Sequence, residues 1–220
     1  MSGGKTIPFE ATRLDRVTLA VGAVDGVTGV MLRHGVTARI AGLADQPIVN
    51  GSGLLVFVNL PDRPHYDVEV DARRAGFPFL EHFSFTPPAP GNRDPAARRR
   101  DIVMAPGPDY PFAPEATVVR GVVTRGASPV AGASISAAPA CGGTGFTTRS
   151  VYNGAFALAV RLPHIGAHEA GGPVQMKIRV SEGGQGRAFV RALTDGRSHS
   201  FTEPLDLAGH DEPGLFLHLR

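Results

Sequence analysis

The sequence predicts an all-β protein made of two β-sandwich domains in tandem. Twenty-eight Gly and 19 Pro interrupt a chain in which 42% of residues are hydrophobic, so these breakers separate short apolar runs and exclude long helices. Several runs alternate apolar and polar residues, which is the period of a half-buried strand. The order of runs and turns repeats after about 100 residues, a pattern typical of two copies of one unit.

The first half contains six predicted strands. Apolar runs bounded by Gly, Pro or Asp place them at 17–24, 35–43, 54–60, 66–72, 80–86 and 101–105. Val68 and Val70 face one side of their strand, and the acidic residues on either side of each face the other. The turn "NGSG" before residue 54 has the composition of a hairpin turn. Together these elements predict a first domain over residues 1–105.

A proline-rich segment separates the two halves. Residues 106–114 read "PGPDYPFAP", with four Pro in nine residues, which makes the segment stiff and extended and unable to donate to a central ladder. We interpret it as a linker. Its two aromatic residues, Tyr110 and Phe112, are expected to wedge between the flanking domains.

The second half, 115–220, repeats the pattern. Its predicted strands are 116–124, 133–139, 145–152, 155–162, 174–180 and 186–193. Asn153-Gly154 stands between two of these runs, and because both residues tolerate the left-handed conformation, the pair predicts a hairpin. The sequence therefore predicts a second sandwich with the same order of strands and turns.

Short motifs in the second half resemble the carboxypeptidase regulatory-like domain. They are Gly121-Val122-Val123, "PVAGASI" at 129–135, Thr148, and "NGAFAL" at 153–158. The resemblance covers about residues 116–182 and implies a transthyretin-like, or Ig-like, sandwich of seven strands. Arg149 stands where that family has an Asp after the Thr, and the spacing to Gly154 is longer.

The first half resembles a more divergent copy of the same module. Asp25, Thr28, Gly29, Gly35 and Val36 match its opening pattern, and "NGSGLLVF" at 50–57 matches the later turn and strand. Tandem modules joined by a linker such as "YPF" at 110–112 also resemble small accessory proteins encoded with phage tails and contractile injection systems. That resemblance implies a role in a larger assembly.

The charge balance argues against a nucleic-acid partner. Lys and Arg number 22 against 20 Asp and Glu, so neither half presents a strongly basic face. The run Arg98-Arg99-Arg100 stands close to Asp94 and Asp101 and is interpreted as a solvated loop. The first residues lack the pattern of an export signal, and no run has the length of a membrane span. We therefore expect cytoplasmic synthesis and no membrane insertion.

Candidate chemical groups are few and isolated. Cys141 is the single cysteine, so the chain forms no internal disulfide. His164 and His168 have the spacing of a helical metal pair, but prolines and glycines surround them, which favours a polar loop. Ser52 lies in a predicted turn without a nearby base, and "CGGTGF" at 141–146 lacks the Lys of a phosphate loop.

Two enzyme families with related sandwiches were weighed. Hydroxyisourate hydrolases end in Tyr-Arg-Gly-Ser, whereas this chain ends in "LFLHLR". Intradiol dioxygenases hold iron with two Tyr and two His, but Tyr66, Tyr110 and Tyr152 show no such pairing with His. We therefore predict no catalytic residue, no cofactor and no metal site.

The sequence thus favours a non-enzymatic structural or assembly protein with protein partners, part of a virion or an injection particle. Docking is expected through strand edges and loops. The alternative is a surface module that binds carbohydrate or protein. Its candidate aromatic contacts are Phe77, Phe79 and Phe83, whose spacing suits a buried strand face equally well. An unassigned hydrolase is the third hypothesis.

Overall fold

Alternating apolar side chains build this protein almost entirely from β-strands. The computed structural model describes residues 16–140, 145–161 and 172–208. Strands of the first half are β1 (Val17–Asp25), β2 (Thr37–Ile40), β3 (Ile48–Val49), β4 (Leu55–Val58), β5 (Tyr66–Asp71), β6 (Leu80–Phe85) and β7 (Arg99–Met104). Two 3-10 turns, Arg73–Ala75 and Pro95–Arg98, lie between β5 and β7.

The second half contains both long strands, of six to nine residues, and short strands, of two to four residues. They are β8 (Thr117–Arg125), β9 (Ser128–Pro129), β10 (Ser134–Pro139), β11 (Phe146–Arg149), β12 (Ala155–Val160), β13 (Val174–Glu182), β14 (Gln185–Leu193), β15 (Ser198–Ser200) and β16 (Leu205–Asp206). The prediction of an all-β fold is confirmed.

The first half forms two sheets that enclose one hydrophobic cluster. One sheet has the order β3-β4-β1-β7 and the other β2-β5-β6. Leu19 and Phe57 from the first sheet meet Val68 and Val70 from the second, and burial of each such side chain contributes about 1.5–3 kcal/mol. The predicted alternation of 66–72 is confirmed, because Val68 and Val70 are buried and Asp67 is exposed.

The second half has its own pair of sheets and its own cluster. One sheet has the order β12-β8-β15, with β9 and β16 also paired to β8, and the other has the order β11-β10-β13-β14. Phe156 and Leu158 of β12 pack with Ile135 of β10 and Ile178 of β13. The two clusters share no residue. The division into domains 1–105 and 115–220 remains a prediction.

The two halves share several strand pairings. β1 pairs antiparallel with β4 and parallel with β7. Likewise, β8 pairs antiparallel with β12 and parallel with β15 and β16. In the opposite sheets, β5 lies between β2 and β6 as β13 lies between β10 and β14. These shared pairings agree with the repeat that the sequence indicated, but β3 pairs with β4 whereas β11 pairs with β10 in the opposite sheet.

The predicted hairpin at Asn153-Gly154 is wrong in its pairing. The turn is present, with Gly154 at φ 78°, but β11 pairs with β10 while β12 pairs with β8 in the opposite sheet. Buried Ser150 explains the crossing. Its hydroxyl donates to the carbonyl of Val130 at 2.6 Å and accepts from the amide of Ala133 at 3.0 Å. These bonds hold the chain at the end of β11, just before it leaves the β11-β10-β13-β14 sheet for the sheet of β12.

The equivalent turn of the first half is a true hairpin. Asn50 Oδ1 accepts hydrogen bonds from the amides of Ser52 and Leu54 at 3.0 and 2.9 Å, and β3 pairs with β4 on either side of it. Ser52 lies in this turn, as predicted. Similar turn chemistry therefore serves two different connections in the two halves.

Several other expectations differ from the structure. The run 35–43 forms a strand only over Thr37–Ile40. Arg99 and Arg100 lie on β7 and not in a loop, although both are exposed as expected. Four strands of two or three residues, β3, β9, β15 and β16, were not predicted because they are too short to show a period. Cys141, His164, His168 and the C-terminal "LFLHLR" lie outside the described residues.

Replacing Gly154 by Ala should destabilise the protein by at least about 3 kcal/mol. The new Cβ would fall on the carbonyl oxygen of Val123, in addition to the backbone strain that a positive φ imposes on Ala. Gly132→Ala is the matched control, since Gly132 has φ 76° and nothing within 4 Å of the added Cβ. It should cost only about 1 kcal/mol. Urea unfolding measures both, and equal losses would contradict this account.

Candidate interaction surfaces

The first surface is the junction, by which we mean linker residues 106–114 and the side chains of both halves that contact them or one another. Asp25, at the end of β1, is a central residue of the junction, and only 7% of the residue is exposed to solvent. Asp25 Oδ1 accepts from the amides of Val27 and Thr28 at 2.7 and 3.3 Å. Oδ2 accepts from the Thr28 hydroxyl at 2.9 Å and from the Tyr110 hydroxyl at 2.6 Å.

These four hydrogen bonds keep Asp25 ionised. Burial alone would raise the pKa of the carboxyl, but the bonds from Tyr110, Val27 and Thr28 outweigh it and lower the pKa below its ordinary value. Conversely, burial and the hydrogen bond to Asp25 raise the pKa of Tyr110 to about 12. Tyr110 therefore remains a neutral donor to a charged acceptor, which is a strong form of hydrogen bond.

The ring of Tyr110 lies between two other aromatic rings, each tilted against it. Its centroid lies 5.7 Å from that of Phe77 and 4.8 Å from that of Phe112. The guanidinium of Arg120, on β8, lies 5.1 Å from the Phe112 centroid and donates to the carbonyl of Pro108 at 2.5 Å. The linker aromatics thus contact both flanking halves, as the sequence indicated.

Arg149 makes a second connection across the junction. It lies on β11, pairs with Glu81 of β6, and places its guanidinium 4.6 Å from the ring centroid of Phe79. This ring and that of Phe77 are buried, and Phe83 is half-buried against the first-half cluster. The three aromatics proposed as a stacking platform are therefore not displayed together on the surface.

A third contact borders a groove of about 750 Å³ between the halves. Arg161, which follows β12, donates to the carbonyl of Val27 at 2.7 Å. The groove is lined largely by apolar groups, among them Val24, Val103 and Ala159, with the carboxylate of Asp195 at one side.

The second surface is the outer apolar face, on the side of the β3-β4-β1-β7 sheet that points away from the core. The strand register places Ile48, Val56, Ala20, Val24 and Val103 on it. Ile48 is 59% exposed and Val103 is 64% exposed. The register also places the ion pair of Arg99 and Asp101 on this face. Exposed apolar groups such as Ile48 and Val103 are typical of interaction sites.

The third surface is the cationic groove, with a volume of about 690 Å³, at the end of the second half where the β13-β14 turn meets the start of β10. Lys177, Arg179 and Arg187 line it together with Glu182. Small residues, including Gly132 and Ser134, form the remainder of its wall. No single motif in the sequence indicates this groove, because its walls come from two distant segments, 132–134 and 177–188.

Other expected chemistry can be placed only in part. Within the described ranges, no three His, Cys, Asp or Glu side chains come together as metal ligands. None of the helical turns in the same ranges has the length and apolar composition needed to cross a membrane.

No protein-family model and no curated protein match the chain. A solved structure, that of the Bacillus anthracis TIE protein, aligns with 84% of this chain at 10% sequence identity and a TM-score of 0.29. The alignment spans 33% of that chain, so this protein corresponds to about a third of its length.

Tyr110→Phe should lower the free energy of unfolding by about 1.5–3 kcal/mol, the range for a hydrogen bond to a charged group. Tyr152→Phe is the control, because Tyr152 is 86% exposed and its loss should change stability by less than about 0.5 kcal/mol. Chemical denaturation compares the two. If the two variants lose equal stability, the hydrogen bond to Asp25 does not hold the linker.

The stability difference between wild type and Tyr110→Phe should also depend on pH. The raised pKa of Tyr110 means that its contribution is complete below its ordinary value of 10.0 and is lost as pH rises through about 12. The lowered pKa of Asp25 means that its contribution is complete above 3.8 and is lost as pH falls below that value. Denaturation at a series of pH values should give a flat difference between these limits. A difference that changes near neutral pH would contradict the assignment.

Proposed function

We propose that this chain is a non-enzymatic structural protein that holds two transthyretin-like sandwich units in a fixed orientation within a larger protein assembly. The more specific form of the proposal is a component of a phage tail or a contractile injection particle. The carboxypeptidase regulatory-like motifs at 121–135 and 148–158 and the "YPF" linker support that form.

The observation that carries the proposal is the junction. Arg149 with Glu81 and Arg161 with the carbonyl of Val27 join the two halves directly. Tyr110 with Asp25 joins the linker to the first half at a third place. Contacts at several separate places resist rotation about the linker, whereas a single contact would leave it as a hinge. A protein that sets the distance and angle between its neighbours needs such resistance.

The outer apolar face supplies a surface for one of those neighbours. Edge strand β3 carries Ile48 and Val49, both more than half exposed, so backbone groups and apolar side chains are offered together. Strand addition at such an edge combines main-chain hydrogen bonds with apolar burial. A subunit of the same assembly is the partner we propose for this face.

The test is sedimentation of the tagged chain from cells of its source. Wild-type protein should appear in the fraction of large particles. A Glu81→Gln/Arg149→Gln variant combined with Tyr110→Phe should be depleted from that fraction by about tenfold, which corresponds to about 1.4 kcal/mol of lost association.

Arg39→Gln/Glu69→Gln is the matched control, because this ion pair lies within the first half and its Arg is well exposed. Its loss should cost little stability and leave sedimentation unchanged. Wild-type protein found only as a free monomer would refute the proposal. Equal depletion of control and junction variants would show that a fixed orientation is not required.

A further inference from the structure

The cationic groove shares no lining residue with the contacts of the junction or with the outer apolar face, although Ser134 is the cross-strand neighbour of Arg149. It is formed at the tip of the β13-β14 hairpin, where Gly183 and Gly184 turn the chain with φ of 56° and 82°. The walls come from the end of β13, the start of β14 and the segment that enters β10. None of the contacts described for the junction uses these residues.

Two cations lie side by side on the outer face of β13. Lys177 and Arg179 are two residues apart, so their Cα atoms are separated by about 7 Å along the strand. Ala138 and Val190 are the cross-strand neighbours of Lys177. Since neither neighbour is acidic, this cation has no partner across the ladder.

Arg179 has equally neutral surroundings. Its cross-strand neighbours are Ser136 and Ala188. No salt bridge within residues 16–140, 145–161 and 172–208 involves Lys177 or Arg179. Two adjacent positive charges therefore have no carboxylate partner among the residues that the structure describes.

The one acidic side chain among the described residues that line the groove is already engaged. Glu182 pairs with Arg125 of β8, so it does not neutralise the two cations of β13. Arg187 also lines the groove, but it is the cross-strand neighbour of buried Val180, so its side chain lies on the opposite face of the sheet from Lys177 and Arg179. Its Nη1 donates to the carbonyl of Asp206 at 2.8 Å, and its guanidinium lies 4.9 Å from the ring centroid of Phe189.

The remaining wall is small and can donate hydrogen bonds. Gly132 and Gly186 leave space beside the cations, and Ser134 and Ser181, which are cross-strand neighbours, bring two hydroxyl groups to the same face. Charged donors beside hydroxyl donors suit carboxylate acceptors, because each carboxylate accepts several hydrogen bonds at once.

We propose that this groove binds an extended acidic segment of a partner protein, with Asp or Glu at alternating positions. Side chains two apart on an extended segment recur at about 7 Å, which is the spacing of Lys177 and Arg179. A nucleic acid is a poorer fit, because the two cations of β13 and a net charge of +2 do not form the extended basic face that such partners need. The inference goes beyond the assembly role and does not depend on it.

The test uses the purified full chain and a fluorescent peptide of alternating Glu and Ser. Anisotropy should show saturable binding that weakens as salt is added. Lys177→Gln/Arg179→Gln should weaken binding at least about tenfold, whereas a peptide with Gln in place of Glu should not bind. The control is Arg63→Gln/Arg93→Gln, which removes the same charge from exposed positions outside the groove and should bind as wild type does.

Each contrary result overturns the proposal in its own way. If the peptide does not bind, the groove is not a site for acidic segments. If both double variants weaken binding equally, the peptide is attracted by the net charge of the protein and not by the groove. Tighter binding of a single-stranded oligonucleotide than of the peptide would assign the groove to a different partner. Since the measurement uses purified protein, it succeeds or fails independently of the sedimentation experiment.

Discussion

A charged carboxylate at the end of β1 lies almost out of solvent, and four hydrogen-bond donors hold it there. Three of these donors belong to the turn that follows β1, and the fourth is the Tyr110 hydroxyl of the linker. If the linker moved away, the carboxylate would lose a partner while still largely buried, and an unpaired buried charge is costly. The position of the linker therefore depends on this one group. So does the cluster of tilted aromatic rings that Tyr110 forms with Phe77 and Phe112.

Local pattern was sufficient for the longer strands, but it missed the four strands of two or three residues and could not identify some of the strand partners. The strand of Val68 and Val70 could be predicted because apolar and polar residues alternate along consecutive positions of the sequence. The turns at Asn50 and Asn153 have similar sequences, yet one closes a hairpin and the other crosses between sheets. The difference comes from Ser150, whose hydrogen bonds reach the segment near Val130. A contact 20 residues away in sequence is not visible in a turn motif.

The contacts of the linker were predictable only in part, because the sequence shows which residues pack but not which distant residues they pack against. Two aromatics in a proline-rich segment indicate packing against neighbours, and Tyr110 and Phe112 do pack in this way. Their partners lie far along the chain, however, as Asp25 is 85 residues from Tyr110. One feature of the sequence did point to Arg149. It stands where the carboxypeptidase regulatory-like family, which the second half resembles, has an Asp. The residue that breaks the motif is the one that pairs with Glu81 across the junction.

The parallel pairing of β1 with β7 determines how the first half would respond to a mechanical pull. The chain enters this half through β1 and leaves it through β7, and the two strands lie side by side in the same direction over Ala20 to Asp25. Tension between the two ends would act along the strands and strain their ladder bonds together in shear, not one after another as in unzipping. In the second half, β8 also pairs in parallel with β15 and β16, so a stretching force that passed along the chain would load parallel strands in shear there as well.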